Sequence, residues 1–234
     1  MKKLIKFNHV SKIYDMGDHE LFALNDANFS INEGEFVVIL GPSGAGKSTL
    51  LNLLGGLDKV SKGSITVGNK DISNLNDNEL SDYRAEYVGF VFQFYNLIFT
   101  LTVLENVNLI KDIVKNKMPA KKILHKVGLS DHLDKFPSEL SGGEQQRVSI
   151  ARAVMKDPAM LLCDEPTGAL DSETGKIVLK LLQDLSIYNK KTVIIVTHNQ
   201  DIAKAADKII KVKNGKITDI IKNEKPLKIS EVDL

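Results

Sequence analysis

The first segment with evident chemistry is a glycine-rich stretch between an apolar run and a helical pattern. Residues 41–49 read GPSGAGKST, directly after the strand-like run EFVVILG. This is the G-x-x-x-x-G-K-[ST] pattern in the strand-to-helix context that a phosphate loop requires. Its glycines let backbone N–H groups turn inward, where side chains would block a phosphate. The candidate nucleotide-binding residues are Gly41, Ser43, Gly44, Ala45, Gly46, Lys47, Ser48 and Thr49.

Two side chains of this loop have separate predicted roles. Lys47 supplies a positive charge to the β- and γ-phosphates of a nucleotide, and the Ser48 hydroxyl suits Mg²⁺. The N-terminus of the following helix adds a partial positive charge. The alternative is a chance glycine turn between strand and helix, but strand, loop, lysine, hydroxyl and helix all agree here. The loop by itself does not separate nucleotide kinases, GTPases and ATPases.

Two adjacent carboxylates follow a second apolar run. Residues 159–163 read AMLLC, and Asp164 and Glu165 come next. We expect Asp164 to hold Mg²⁺ through water and Glu165 to polarise a water for in-line attack on a γ-phosphate. The sequence Asp-Glu-Pro-Thr also favours a helix N-terminus, and the two interpretations are compatible.

A second anion site is predicted about a hundred residues after the phosphate loop, where residues 140–145 read LSGGEQ. Ser141 is a good N-cap for the helix that follows, and the two glycines leave amide groups bare. One nucleotide need not fill both sites, but two copies facing head to tail would join them in a twofold dimer. We therefore expect contacts with the nucleotide of the opposite copy from Ser141, Gly142, Gly143 and Glu144.

The elements that position these residues alternate between strand and helix. The run TVIIVT at residues 192–197 is apolar throughout, like the two earlier runs, which is typical of parallel strands covered on both faces. Helical patterns follow at 47–54 and 172–188, which favours an α/β layered domain. Residues 6–31 with 63–67 predict an antiparallel patch. We expect a single domain over 1–234, with an α/β core and antiparallel patch at 1–93 and 158–221, a helical subdomain at 94–157 and a solvated tail at 222–234.

Composition restricts the class of protein. Hydrophobic residues make up 43% and charged residues 26%, as in ordered globular chains. The net charge of +1 gives no basic footprint for nucleic acid, so we expect no nucleic-acid partner. One cysteine excludes an intramolecular disulfide and fits a reducing compartment. No apolar run reaches the roughly 18 residues of a membrane span, and the N-terminus lacks a signal-peptide pattern, so we expect a cytoplasmic protein.

Taken together, GPSGAGKST, LSGGEQ, LLCDEP and a histidine after TVIIVT resemble the nucleotide-binding subunit of an ATP-binding cassette (ABC) transporter. The resemblance covers about residues 3–221. It implies a P-loop NTPase cassette with a RecA-like core, an antiparallel β subdomain and an inserted α-helical subdomain. It also implies an ATPase that uses ATP and Mg²⁺, a homodimer in the ATP-bound state, and separate transmembrane permease subunits that hold the chain at the inner face of the membrane.

The resemblance assigns further residues. Tyr14 matches an aromatic residue that stacks on adenine, although alone it would read as a half-buried strand tyrosine. Gln93 matches a glutamine that contacts Mg²⁺ and the attacking water and couples to the membrane partner. Leu170 and Asp171 match a segment that crosses the dimer interface. His198 matches a histidine that contacts the γ-phosphate, and it also ends a buried strand where α/β sheets bind ligands. The candidate catalytic residues are thus Glu165, His198, Lys47 and Gln93, and the candidate metal ligands are Ser48, Gln93 and Asp164.

Three longer stretches resemble one branch of this family, which contains macrolide exporters, lipoprotein-release ATPases and cell-division ATPases (MacB, LolD and FtsE types). They are STLLNLLGGLD, FVFQFYNLIFTLTVLENV and DEPTGALD. Phe99 stands where many relatives have proline, near the expected docking site of the membrane partner. The branch implies export or extraction of a peptide, lipoprotein or drug-like substrate. The alternative is an ATPase that regulates a membrane protein in cell division or signalling without transport. A DNA-repair ATPase is disfavoured because no long heptad coiled coil separates the phosphate loop from LSGGEQ.

Overall fold

The structure is a computed structural model that describes residues 2–111 and 119–233. Its strands, in chain order, are β1 Lys3–Asp15, β2 Glu20–Asn32, β3 Phe36–Leu40, β4 Lys62–Val67, β5 Lys70–Asp71, β6 Val88–Val91, β7 Met160–Asp164, β8 Thr192–Thr197, β9 Lys208–Lys213 and β10 Lys216–Lys222. Its α-helices are α1 Lys47–Leu54, α2 Asp77–Tyr87, α3 Val103–Asn108, α4 Ala120–Lys126, α5 Gly142–Val154 and α6 Ser172–Asn189.

The larger sheet has the strand order β10-β9-β3-β8-β7-β6. All neighbours in it pair in parallel except β10 and β9, which form an antiparallel hairpin. Every residue of β3 and β8 is buried, as expected for strands with both faces covered. Val37 and Ile39 pack with α1 on one face, whereas Val38 packs with α6 on the other. The predicted α/β layering is therefore confirmed.

The smaller sheet is antiparallel, with the order β2-β1-β4-β5. It shares one apolar cluster with α1 and the first face of the larger sheet, through residues such as Phe7, Leu24 and Leu50. The antiparallel patch predicted for residues 6–31 and 63–67 is thus present. Its position over α1 brings the β1–β2 hairpin close to the segment that leads into that helix.

A buried ion pair joins the two sheets. Lys208 Nζ, at the start of β9, lies 2.7 Å from Glu35 Oε2, and the two side chains are only 12% and 10% exposed. The ammonium also donates to Ser30 O in β2, and the Asn32 N–H donates to the same carboxylate oxygen. Burial alone would raise the pKa of Glu35, but the bonds from Lys208 and Asn32 together hold that pKa below its ordinary value.

A Glu35→Gln substitution is expected to lower the free energy of unfolding by about 3 kcal/mol at neutral pH, because it leaves Lys208 without its counter-charge. The lowered carboxyl pKa means that the pair stabilises the fold above the ordinary carboxyl pKa and loses this effect as the pH falls through the folded-state value. Urea unfolding from neutral pH down to about pH 3, below the ordinary carboxyl pKa, should therefore show a shallower pH dependence for the variant. Glu33→Gln is the control, since Glu33 pairs with Lys2 at the exposed surface. Equal pH profiles in the variant and the native chain would contradict this account.

A third apolar cluster lies in the helical part of the chain, and it includes Val103 of α3, Leu124 of α4 and Val148 of α5. The described residues of the segment 94–157 form α-helices and 3₁₀ turns and no strand. Val154 and Leu181 touch both this cluster and the core on the α6 side of the larger sheet. Within the described residues, no helix combines the length and apolarity needed to cross a membrane.

The prediction of a solvated tail at 222–234 is wrong for the segment around residue 229. Ile229 and Val232 are almost fully buried and belong to the cluster on the α6 side of the larger sheet. The Gln183 side chain of α6 donates to Leu227 O at 2.9 Å and accepts the Ile229 N–H at 3.0 Å. Two apolar residues three positions apart dock the tail, and the charged residues around them concealed this pair in the sequence.

Candidate nucleotide site

The phosphate loop leaves β3 at Leu40 and enters α1 at Lys47. Gly46 has φ of 101°, and a Cβ there would lie 2.3 Å from Ala23 O of β2. A Cβ on Gly41 would lie 2.3 Å from Val212 O of β9. Side chains are therefore excluded at both positions by backbone atoms of neighbouring strands, which explains why the loop requires glycine there.

The ammonium of Lys47 lies inside the loop, where it donates to Gly41 O at 2.9 Å and to Pro42 O at 3.0 Å. The loop is also braced from outside by the β9–β10 turn. The Gly215 N–H donates to Ala45 O at 2.9 Å, and its own carbonyl accepts from Asn25 at 2.7 Å. The hairpin turn therefore links the phosphate loop to β2.

The carboxylate of Glu165 is held by two residues at the end of β8. Thr197 Oγ1 donates to Glu165 Oε2 at 3.0 Å, and the His198 N–H donates to Oε1 at 3.1 Å. The His198 ring Nδ1 lies 2.9 Å from the same Oε1. Glu165 also has φ of 45°, a left-handed conformation that costs a non-glycine residue about 1–3 kcal/mol. These contacts fix the carboxylate, and the bond from the Glu165 N–H to Val196 O at 2.9 Å holds the backbone.

Asp164 ends β7 beside the phosphate loop. Burial raises the pKa of its carboxyl above the ordinary value, and the negative charge of Glu165 raises it further. The Ser48 hydroxyl and the Lys47 ammonium act in the opposite direction. The Asp164 carboxylate is therefore close enough to the Ser48 hydroxyl and the Lys47 ammonium for both to influence its protonation.

One cleft of about 900 Å³ gathers most of the predicted residues. Tyr14, Gln93, Asp164 and Glu165 line it together with the loop from Ser43 to Thr49. Neither Gly41 nor His198 is among the described lining residues, but both contact residues that are, namely Lys47 and Glu165. The cleft has the size of a small-ligand site and combines phosphate-binding backbone, a cation and two carboxylates.

The residues from Ser141 to Glu144 do not line this cleft in the described part of the chain. Ser141 is the N-cap of α5, as predicted, and forms a capping box with Glu144. A Cβ on Gly143 would lie 1.9 Å from Thr174 Cγ2 of α6. Close packing against α6 is thus a local reason for one glycine, besides any exposure of its amide.

Leu170 lies next to the LSGGEQ segment, and Asp171 caps the helix against which that segment packs. A Cβ on Gly142 would lie 2.7 Å from Tyr95 Oη and 3.3 Å from Leu170 Cδ2. Asp171 is the N-cap of α6 and accepts the Thr174 N–H at 3.0 Å. The structure therefore brings Leu170 against the LSGGEQ segment, and neither Leu170 nor Asp171 is among the described lining residues of the cleft.

Buried Gln146, which the sequence did not single out, connects the two regions. Its Nε2 donates to Phe92 O at 3.2 Å and to Pro166 O at 2.9 Å. These carbonyls belong to the residues next to Gln93 and Glu165. The side chain thus ties α5 to both of the segments that carry those candidate residues.

Sequence reasoning also missed part of the cleft lining. Asn214 and Gly215 are the turn of the β9–β10 hairpin, and an Asn-Gly pair between alternating runs is a recognisable hairpin signal. The other missed residues fall in two groups. Leu21, Phe22 and Ala23 lie on β2, and nothing in the sequence links that strand to the phosphate loop. Phe92, Phe94 and Asn96 flank Gln93 in the same segment.

Residues 24–168 match the family described as ABC transporter. An uncharacterised ABC transporter ATP-binding protein of Methanocaldococcus jannaschii is 46% identical over 225 residues, which are 93% of this chain and 99% of that protein. A macrolide export ATP-binding/permease protein MacB of a Shewanella species is 44% identical over 92% of this chain, which spans only 34% of that longer protein.

A solved structure of the ATP-binding cassette MJ0796, dimeric and bound to ADP and Pi after hydrolysis, matches with a TM-score of 0.85. The two sequences are 41% identical, and the match covers 94% of this chain and 98% of the chain in that structure. These matches confirm the predicted cassette fold and the branch that includes MacB-type exporters. The chain belongs to the ABC transporter family, in which it is an ATP-binding subunit with ATPase activity.

Proposed function

We propose that two copies of this chain close head to tail around two ATP molecules and drive a separate transmembrane permease. The observation that carries this proposal is the separation of two predicted ATP-contacting surfaces. The phosphate loop, Asp164 and Glu165 share a cleft, whereas Ser141 to Glu144 lie outside its described lining. A second copy would supply the missing surface. The dimeric structure of the relative bound to ADP and Pi supports this arrangement.

Each copy would contribute defined groups to hydrolysis. Lys47 would bind the β- and γ-phosphates, and Glu165 would accept a proton from the attacking water. His198 would hold that carboxylate and contact the γ-phosphate. Tyr14 would stack on adenine.

Mg²⁺ fits the oxygen donors of Ser48, Gln93 and Asp164, the last acting through water, since hard cations prefer such ligands. When bound, the cation would neutralise phosphate charge. Burial and the charge of Glu165 raise the pKa of Asp164, and a bound cation would oppose both effects.

The helical subdomain at 94–157 would contact the permease through the loop that follows Gln93. Phe94 and Phe99 in this loop are 75% and 63% exposed. The loop is nevertheless ordered, because the buried amide of Asn106 accepts the Ile98 N–H at 2.8 Å and donates to the Ile98 carbonyl at 3.0 Å. An ordered loop with exposed aromatic rings is suited to a protein partner.

The names of the relatives support a proposal for the substrate class. Relatives include macrolide exporters and a probable syringafactin export protein of Pseudomonas syringae, which is 42% identical over 97% of this chain. We therefore propose export or extraction of a peptide, lipoprotein or drug-like molecule.

The test is affinity purification of a tagged Glu165→Gln copy, with ATP, from detergent-solubilised native cells. A stoichiometric permease among the bound proteins is the expected result, because the variant should hold the closed dimer against its membrane partner. Phe99→Asp in the same background should reduce recovery of that permease several-fold, since it places a charge on the proposed contact. Tyr188→Asp is the matched control, because Tyr188 is a 75% exposed aromatic on α6.

Recovery of a division or signalling protein instead of a permease would favour the regulatory alternative. Absence of any membrane partner would contradict both versions of the proposal.

A further inference from the structure

A charged pair, Lys12 and Asp58, contacts the Tyr14 side chain. Its hydroxyl donates to Asp58 Oδ2 at 2.8 Å, and Lys12 Nζ lies over its ring at 4.8 Å from the centroid. Tyr14 lines the cleft, whereas Lys12 and Asp58 are not among the described lining residues. The ammonium therefore covers one face of a ring that borders the cleft.

The pair itself is well ordered. Lys12 Nζ lies 2.5 Å from Asp58 Oδ1, and their side chains are 13% and 28% exposed. The ammonium also donates to Lys59 O at 2.9 Å, and Asp58 Oδ1 accepts the Lys59 N–H at 2.7 Å. Burial alone would raise the pKa of Asp58, but the bonds from Lys12 and Tyr14 hold that pKa below its ordinary value. Lys12 is therefore neutralised and fixed in place rather than free in solvent.

The backbone around the pair is pinned as well. The loop after α1 docks on β1, because the Ser61 N–H donates to Ser11 O at 2.9 Å and the Ile13 N–H donates to Ser61 Oγ at 3.0 Å. These bonds fix the distance between the strand that carries Tyr14 and the loop that carries Asp58. The position of the Tyr14 ring thus depends on β1 and on the loop after α1. Of these two elements, only the loop is continuous with the helix that follows the phosphate loop.

We propose that Lys12 and Asp58 are positioning residues for recognition of the base, which hold Tyr14 as a one-sided stacking platform. The ammonium occupies one face of the ring by a cation–π contact, so a flat aromatic base has only the other face available. The hydrogen bond from the Tyr14 hydroxyl to Asp58 prevents the ring from turning. The ring is therefore already ordered before the base binds, and binding does not carry the entropic cost of ordering it. The inference rests on the proposed stacking role of Tyr14 and assigns the residues that make that role effective.

Because the platform touches only the base, its effect is separable from phosphate binding. ADP and inorganic pyrophosphate, each with Mg²⁺, are suitable probes, since both offer a diphosphate, only ADP has a base, and ADP avoids turnover. Lys12→Met removes the charge and keeps most of the aliphatic stem. Calorimetric titration should show about three- to tenfold weaker ADP binding for this variant and pyrophosphate binding within about twofold of the native chain.

Two further variants and a control complete the experiment. Tyr14→Phe keeps the ring and removes the bond to Asp58, so a smaller loss confined to ADP is expected without risk to the fold. Lys59→Met is the matched control, because the Lys59 side chain pairs with Asp77 at the surface and does not contact Tyr14. This control should bind both probes as the native chain does.

Unchanged ADP binding by both Lys12→Met and Tyr14→Phe, or an equal loss of ADP and pyrophosphate binding, would overturn the inference. Tyr14→Ala separates this failure from failure of the proposed function. If Tyr14→Ala lowers the ratio of ADP to pyrophosphate affinity and Lys12→Met does not, the stacking role of Tyr14 is supported and the positioning role of Lys12 is wrong. If Tyr14→Ala leaves the ratio unchanged, the stacking role itself is wrong.

Discussion

A Glu165→Gln variant is expected to lose nearly all ATP turnover and to accumulate as an ATP-bound dimer. Glutamine has the size of glutamate and can still accept the bond from Thr197, but it cannot take a proton from water. Loss of a general base lowers the rate by about 10²–10⁴-fold. Phosphate release measures the turnover, and size-exclusion chromatography with ATP measures the dimer.

Glu33→Gln is the control, because it makes the same chemical change at the exposed Lys2 pair. It should turn over ATP at the native rate and show no trapped dimer. Native-like turnover by Glu165→Gln would remove Glu165 as the base. A monomeric variant at saturating ATP would contradict the proposed closure of two copies around ATP.

A Ser141→Arg variant is expected to bind ATP as a monomer with native affinity and to show neither dimerisation nor turnover. The residue lies outside the described lining of its own cleft, so the first ATP contacts should not change. In the proposed dimer, however, the arginine would occupy the space of the opposite nucleotide. Fluorescent-nucleotide titration, phosphate release and light scattering would measure the three properties.

Loss of the N-cap must be separated from the added bulk. Ser141→Ala removes the capping oxygen, which costs about 1 kcal/mol of stability, without filling the interface. Ser138→Arg adds the same side chain at a neighbouring exposed position and should leave dimerisation unchanged. If Ser141→Arg still dimerised with ATP, the facing arrangement of the two copies would be wrong.

The central strands could be predicted to within one residue, because burial on both faces leaves a short run without polar positions. Residues 192–197 form β8 as predicted, and β3 and β7 differ from the predicted runs by a single residue at either end. Helix α1 also matches its predicted range, since the phosphate loop fixes its start.

Other elements carried too weak a pattern. Helix α2 buries only Leu80 and Tyr83, so its sequence shows no continuous apolar stripe, although Asn76 and Glu79 form a capping box at its start. The docked tail likewise depends on Ile229 and Val232 alone. Such short contacts become recognisable only when the surface that receives them is known.

The candidate site likewise contains residues that the sequence predicts and residues that it does not. Its phosphate loop and adjacent carboxylates were predictable because each chemical unit is contiguous in the sequence. The groups that orient them come from other segments: Thr197 holds Glu165, Gly215 braces Ala45, and Gln146 joins two loops. Their spacing along the chain carries no information about these contacts, because the fold alone brings them together.

The single cysteine of the chain, Cys163, is fully buried in β7, and burial raises the pKa of its thiol well above the ordinary value. A protonated and inaccessible thiol reacts poorly with maleimides and iodoacetamides. The native background is therefore already suited to site-specific labelling. A cysteine introduced at an exposed position such as Ser138 would accept a fluorophore selectively, so energy transfer between two labelled copies could follow opening and closing in real time without prior removal of Cys163.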